Sequence, residues 1–117
     1  MARIAIVDDD ASLAAAIEEA LTQAGHEAFV ARDAEELEFR VLGRMPDLAL
    51  IDMQFRGGGG PAASRLLGEE IPIIVLSGMP VAKQAEWFKD RKRVRHFTKP
   101  LPLAELLKAV DEMLSGR

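Results

Sequence analysis

Leu48-Ala49-Leu50-Ile51-Asp52 is an apolar run closed by an acid, and Ile4-Ala5-Ile6-Val7 repeats the pattern ahead of Asp8, Asp9 and Asp10. An uninterrupted apolar run of this length, bounded by polar residues, reads as a strand buried on both faces, as in a parallel sheet covered by helices. Both strands then deliver their carboxylates to one edge of the sheet, the edge at which α/β folds hold ligands. Two carboxylates about 4 Å apart repel by roughly 1 to 4 kcal/mol over the dielectric range of a protein surface. A positive group is expected between them, and a hard divalent cation is the first expectation.

Outward from these runs, short apolar stretches alternate with longer segments at helical spacing, the βαβα pattern of a parallel sheet. The first strand is expected at about Arg3–Val7. Leu13, Ile17, Leu21 and Ala24 predict a helix, with Asp10 its N-cap and Gly25 its stop. A second strand follows at Glu27–Ala31, then a short helix opened by Asp33 and Glu36 as a capping-box-like pair, carrying Leu37 and Val41 and ending before Pro46. The third strand is expected over Asp47–Ile51. Gly57–Gly60 reads as a loop, and Pro61 suits the first position of a helix running to about Leu67. Ile73–Leu76 predicts the fourth strand, closed by Ser77-Gly78. A fourth helix carrying Trp87 and Phe88 is expected from Pro80 toward Asp90. Val94–Thr98 is the fifth strand, and Leu103, Leu106, Leu107, Val110, Met113 and Leu114 mark one face of a last helix.

The 117 residues, 49% apolar, fit a single domain over 1–117. A net charge of −4 argues against a nucleic-acid partner held by a basic surface. No apolar stretch approaches the roughly 20 residues of a membrane span, and the acids at 8–10 interrupt any signal-peptide pattern. Without cysteine there is no disulfide, thiolate metal site or thiol nucleophile. A soluble, cytoplasmic protein is expected.

Right-handed crossovers put every strand's C-terminal end on one edge. That edge collects Asp8 and Asp9, Asp52, Ser77 and Lys99. Magnesium takes oxygen ligands, usually one or two carboxylates with waters and phosphate oxygens. Phosphoryl transfer needs a nucleophile held in line and positive charge on the equatorial oxygens. Asp52 supplies the first; a metal, Lys99 and the Ser77 hydroxyl can supply the second.

These residues resemble the response-regulator receiver domain of two-component signalling over the whole chain. The resemblance rests on Val7-Asp8-Asp9 after strand one, Pro46 through Asp52 at strand three, Ser77-Gly78 after strand four and Lys99-Pro100 after strand five. Each motif alone is weak; all four in order at strand ends are specific. The resemblance implies a doubly wound, flavodoxin-like five-stranded parallel sheet of order 2-1-3-4-5 with helices on both faces and a site at the switch point. It implies that Asp52 accepts a phosphoryl group from a histidine kinase or phosphotransfer protein, with Mg2+ held by Asp8, Asp9, Asp52 and the carbonyl of Gln54. It further implies that Lys99 contacts the phosphoryl oxygens, that Lys99-Pro100 is cis, and that Ser77 and His96 reorient after phosphorylation as the switch. Such a domain catalyses only its own phosphotransfer and dephosphorylation. Its downstream protein partner would use the face formed by the fourth helix, fifth strand and last helix.

The chain departs from that pattern in three places. His96 stands where receivers usually carry an aromatic, so the switch would respond to pH near 6.5. Arg56 replaces a proline, and the tetraglycine is atypical. Arg91-Lys92-Arg93 with Arg95 is a basic patch whose default reading is a solvated face and whose functional reading is contact with an acidic partner. Gly57–Gly60 lacks the ending of a phosphate-binding P-loop. Two alternatives stand beside the switch: a small haloacid-dehalogenase-like phosphohydrolase with Asp8 as nucleophile, and a receiver-like scaffold that works without phosphorylation.

Overall fold

The computed structural model describes residues 2–53, 59–78, 88 and 91–116. β1 (Arg3–Val7), β2 (Glu27–Ala31), β3 (Leu48–Asp52), β4 (Ile73–Ser77) and β5 (Val94–Thr98) form a parallel sheet in the order β2-β1-β3-β4-β5. Four described helices accompany them: α1 (Ala11–Gln23), α2 (Ala34–Val41), α3 (Gly59–Leu66) and α4 (Leu103–Ser115), the last helix of the chain. The helix expected from Pro80 to Asp90 lies outside the described residues except for Phe88, which is buried.

The pleat divides the core. Ala5, Val7, Ala49, Ile51, Ile73 and Val75 face α2 and α3, packing on Leu37, Val41, Ala63 and Leu67. Ile4, Ile6, Leu48, Leu50, Ile74 and Leu76 face the opposite way, onto Ile17 and Leu21 of α1 and Leu106 and Val110 of α4. Neither face of the central strands meets water, which is why their sequence is continuously apolar instead of alternating.

Helix ends follow the sequence signals closely. Asp10 caps α1, its carboxylate accepting the Leu13 N–H at 3.1 Å. At the other end Gly25 sits at φ +94°, with Gly25 N–H donating to Thr22 O and His26 N–H to Leu21 O, a complete Schellman motif. Asp33 caps α2 by accepting from Glu36 N–H at 2.8 Å. The return bond goes one residue upstream of a standard capping box: Glu36 accepts the Arg32 N–H at 3.2 Å.

Several boundaries differ from expectation by one or two residues: β4 extends to Ser77 and α3 ends at Leu66. β3 runs Leu48–Asp52, one residue later than predicted, because Asp47 turns its carboxylate back to accept the Arg3 N–H at 2.8 Å. α3 starts at Gly59, so the second half of the tetraglycine is helix and not loop. Pro61 fits inside that first turn, where its missing N–H costs nothing.

Candidate functional site

Val7 pairs in register with Ile51, so the residues that follow, Asp8 and Asp52, emerge side by side where the chain leaves β1 and β3. Single main-chain bonds hold the strand ends beyond the ladder. Asp8 N–H donates to Ala31 O at 3.1 Å, Met53 N–H to Leu76 O at 3.0 Å, and Lys99 N–H to Ser77 O at 2.7 Å. The sheet thereby sets the spacing of groups drawn from four strands.

Asp8, Asp9 and Asp52 each offer an oxygen, and these atoms lie within 4.8 Å of one another. Asp8 and Asp52 are buried, Asp9 is exposed, and Ser77 is fully buried. Lys99 Nζ stands 3.2 Å from Asp52 Oδ2. Burial pushes the Asp8 carboxyl from 3.8 up to about 6; the Asp10 N–H at 2.9 Å pulls it back, and the charge of Asp52 adds to the rise. The cluster thus holds more negative charge than Lys99 neutralises. Its donors are all oxygen, which suits a hard divalent cation and no soft one. The Lys99-Pro100 bond is cis, as the resemblance implied. Gln54, Arg56 and Met79 lie outside the described residues.

His96 lies on β5 opposite Val75, half-buried, its ring 6.0 Å from that of Phe88. Its Nδ1 is buried without a hydrogen-bond partner among the described residues. Burial holds its pKa below the ordinary 6.5, so the pH window expected from sequence moves to more acid values.

The basic patch is largely consumed inside the molecule. Arg91 donates to Ser64 O and Oγ at 3.2 and 3.1 Å, and to Gly68 O and Ile71 O at 2.6 and 2.7 Å. Arg93 caps α4 through Met113 O at 2.6 Å, and Arg95 pairs with Glu112 at 2.6 Å. Sequence reasoning missed these roles because the groups they serve come from 17 to 27 residues away. No helix among the described residues is long and apolar enough to cross a membrane.

A parallel sheet of order 2-1-3-4-5 with its acids at the β1/β3 switch point defines the flavodoxin-like doubly wound class. Within that class the chain belongs to the response regulator receiver domain family, whose model matches residues 4–111. It is 28% identical to PilH of Pseudomonas aeruginosa, over 99% of this chain and all of PilH. It is 26% identical to sporulation initiation phosphotransferase F of Bacillus subtilis, over 96% of this chain and 93% of that protein. The non-phosphorylated HemR receiver domain of Leptospira biflexa superposes with a TM-score of 0.89 at 22% identity, covering the whole of this chain and 97% of HemR's. The protein is therefore a phosphorylation-dependent signalling switch in kind, and the hydrolase alternative finds no support among these relatives.

Proposed function

We propose that Asp52 is the phospho-acceptor, receiving its phosphoryl group from a phosphohistidine on a sensor kinase or phosphotransfer protein. The observation that carries this reading is a buried carboxylate, Asp52, held between Lys99 at 3.2 Å and two further acids within 4.8 Å. An Asp52 oxygen attacks phosphorus as the phosphorus–nitrogen bond breaks, and the leaving imidazole departs with the bonding electron pair. Asp8, Asp9, Asp52 and the Gln54 carbonyl would hold Mg2+, which supplies positive charge to the phosphoryl oxygens. Lys99 exchanges its contact with the Asp52 carboxylate for one with a phosphoryl oxygen.

Ser77 is fully buried at the end of β4, and its hydroxyl reorients to meet the new phosphoryl oxygen. That movement, with His96 following, is the two-state element the added charge biases. Apart from turning over its own phosphoryl group the domain is no enzyme, and its signal leaves through a protein contact on the face of β5, α4 and the segment between β4 and β5. A cytoplasmic location accompanies this reading.

Intact-mass measurement after incubation with acetyl phosphate and Mg2+ tests it. The expected gain is about 80 Da, one phosphoryl group, abolished by Asp52→Asn and by chelation. An adduct on Asp8, or one that survives Asp52→Asn, would overturn the assignment. If no adduct forms, beryllofluoride binding that fails as well would favour the phosphorylation-independent scaffold.

A further inference from the structure

Four large hydrophobics are exposed among the described residues, and three fall within seven positions: Phe39 at 73%, Leu42 at 75% and Met45 at 42%. Leu37 and Val41 bury the inner face of α2 completely or nearly so. Phe39 and Leu42, three apart, therefore form an outward ridge that packs against nothing substantial among the described residues.

Two grooves flank this ridge. One, of about 440 Å³, is lined by the acids Asp33, Glu35, Glu36 and Glu38 together with Phe39 and Leu42. The other, of about 400 Å³, runs between α2 and α3 and is lined by Glu35, Glu38, Ala62, Arg65 and Leu66. Glu35 and Glu38 border both, and neither has an ion pair or side-chain hydrogen bond within the described structure. Arg32 pairs with Glu36 at 3.3 Å, the Arg40 guanidinium lies 4.9 Å from the Phe29 ring centre, and Arg65 lines the second groove without an ion pair to either glutamate among the described residues.

From this arrangement we propose that the outer face of α2 docks a basic segment of another protein, one whose apolar side chains enter the two grooves while its Lys or Arg residues meet Glu35 and Glu38. A second copy of this chain is the poorer match. Of its densest basic run, Arg91, Arg93 and Arg95 are already committed internally, which leaves only scattered cations among the described residues, such as Arg44 and Lys108. Two-fold pairing across Phe39 and Leu42 would also crowd Glu35 and Glu38 of both copies around one apolar contact. The face lies on the side of the sheet opposite α1 and α4, so its occupancy leaves those helices open.

The probe is a fluorescein-labelled helical peptide with Leu and Lys at three- and four-residue spacing, compared with its Glu-for-Lys counterpart. Binding is followed by anisotropy and by amide chemical shifts, at saturating Mg2+ so that the acids of the phosphorylation site are screened. The Lys peptide should bind with an affinity that falls with salt, shifting amides within 33–45 and 62–66. Phe39→Ser with Leu42→Ser, and separately Glu35→Lys with Glu38→Lys, should each weaken it by about tenfold or more. All four positions are exposed, so both variants should keep the wild-type circular dichroism. Absence of binding, equal binding by the variants, equal binding of the Glu peptide, or shifts centred elsewhere would each overturn the proposal. A dimer in sedimentation that Phe39→Ser dissolves would overturn it in favour of self-association.

Discussion

Asp8 and His96 pull the pH dependence of this protein in opposite directions. The Asp8 carboxyl rises from 3.8 unfolded to about 6 folded, chiefly through burial. A raised acid favours the protonated native state, so its contribution is full below pH 3.8 and is lost as pH rises through about 6. Without metal, Asp8→Asn should therefore stabilise the protein at pH 7.5 by about 1 to 2 kcal/mol, with the gain vanishing near pH 4. Thermal unfolding across pH checks this, and Mg2+ should stabilise the wild type more than the variant. Mg2+ affinity should fall as pH drops through about 6, because a proton then competes for Asp8. His96 behaves oppositely. Burial lowers its pKa from 6.5, so the neutral ring stabilises above pH 6.5 and that contribution is lost as pH falls through the lowered value. His96→Phe should flatten the acid limb of the stability curve while leaving the Asp8 limb in place; an imidazole titrating at 6.5 or above by NMR would refute the assignment.

Between elements, a few side chains close joints that neither helix propensity nor strand pairing can close. Arg91 gathers three carbonyls from the end of α3 and the approach to β4. A lysine offers a point charge in place of the planar fork, so Arg91→Lys should cost about 2 to 3 kcal/mol in urea unfolding, with Arg91→Ala little worse. Full rescue by lysine would show that charge and not geometry matters there. At the end of α1, nothing lies within 4 Å of a Cβ built on Gly25, yet its φ is +94°. Gly25→Ala should then cost about 1 to 2 kcal/mol through backbone conformation alone, without a clash. The α2 ridge makes a contrasting case: Phe39→Ser should leave stability within about 0.5 kcal/mol, since the side chain is mostly in solvent.

Across the whole molecule, the sheet is a two-sided core, and truncation at its centre should be felt globally. Leu50 is 2% exposed between the helices of one face, so Leu50→Ala should lower unfolding free energy by about 2 to 4 kcal/mol by denaturant titration. The three central strands of this sheet are legible because burial on both faces writes a continuous apolar run, and those runs give way at the sheet edge to Asp8, Asp52 and Ser77 of the site. The caps at Asp10, Asp33 and Gly25 are legible for a related reason, since the groups they satisfy lie within five residues. The start of the third helix is not, because tetraglycine has no propensity to signal that Gly59 and Gly60 are recruited into α3. The basic run at 91–95 is legible only as charge; which partner each guanidinium meets depends on packing between distant segments. His96 is placed by its position in the pattern, yet its lowered pKa comes from burial that one sequence cannot show. The sequence by itself determined the strand order's ingredients and the identity of the acids, hydroxyl and amine at the sheet edge, because periodicity and capping are local physics. Only the tertiary structure decided the register that sets Asp8 beside Asp52, the carbonyls that Arg91 and Arg93 serve, and the exposure of Phe39 and Leu42, because spacing across a sheet and access to water arise when separate segments meet.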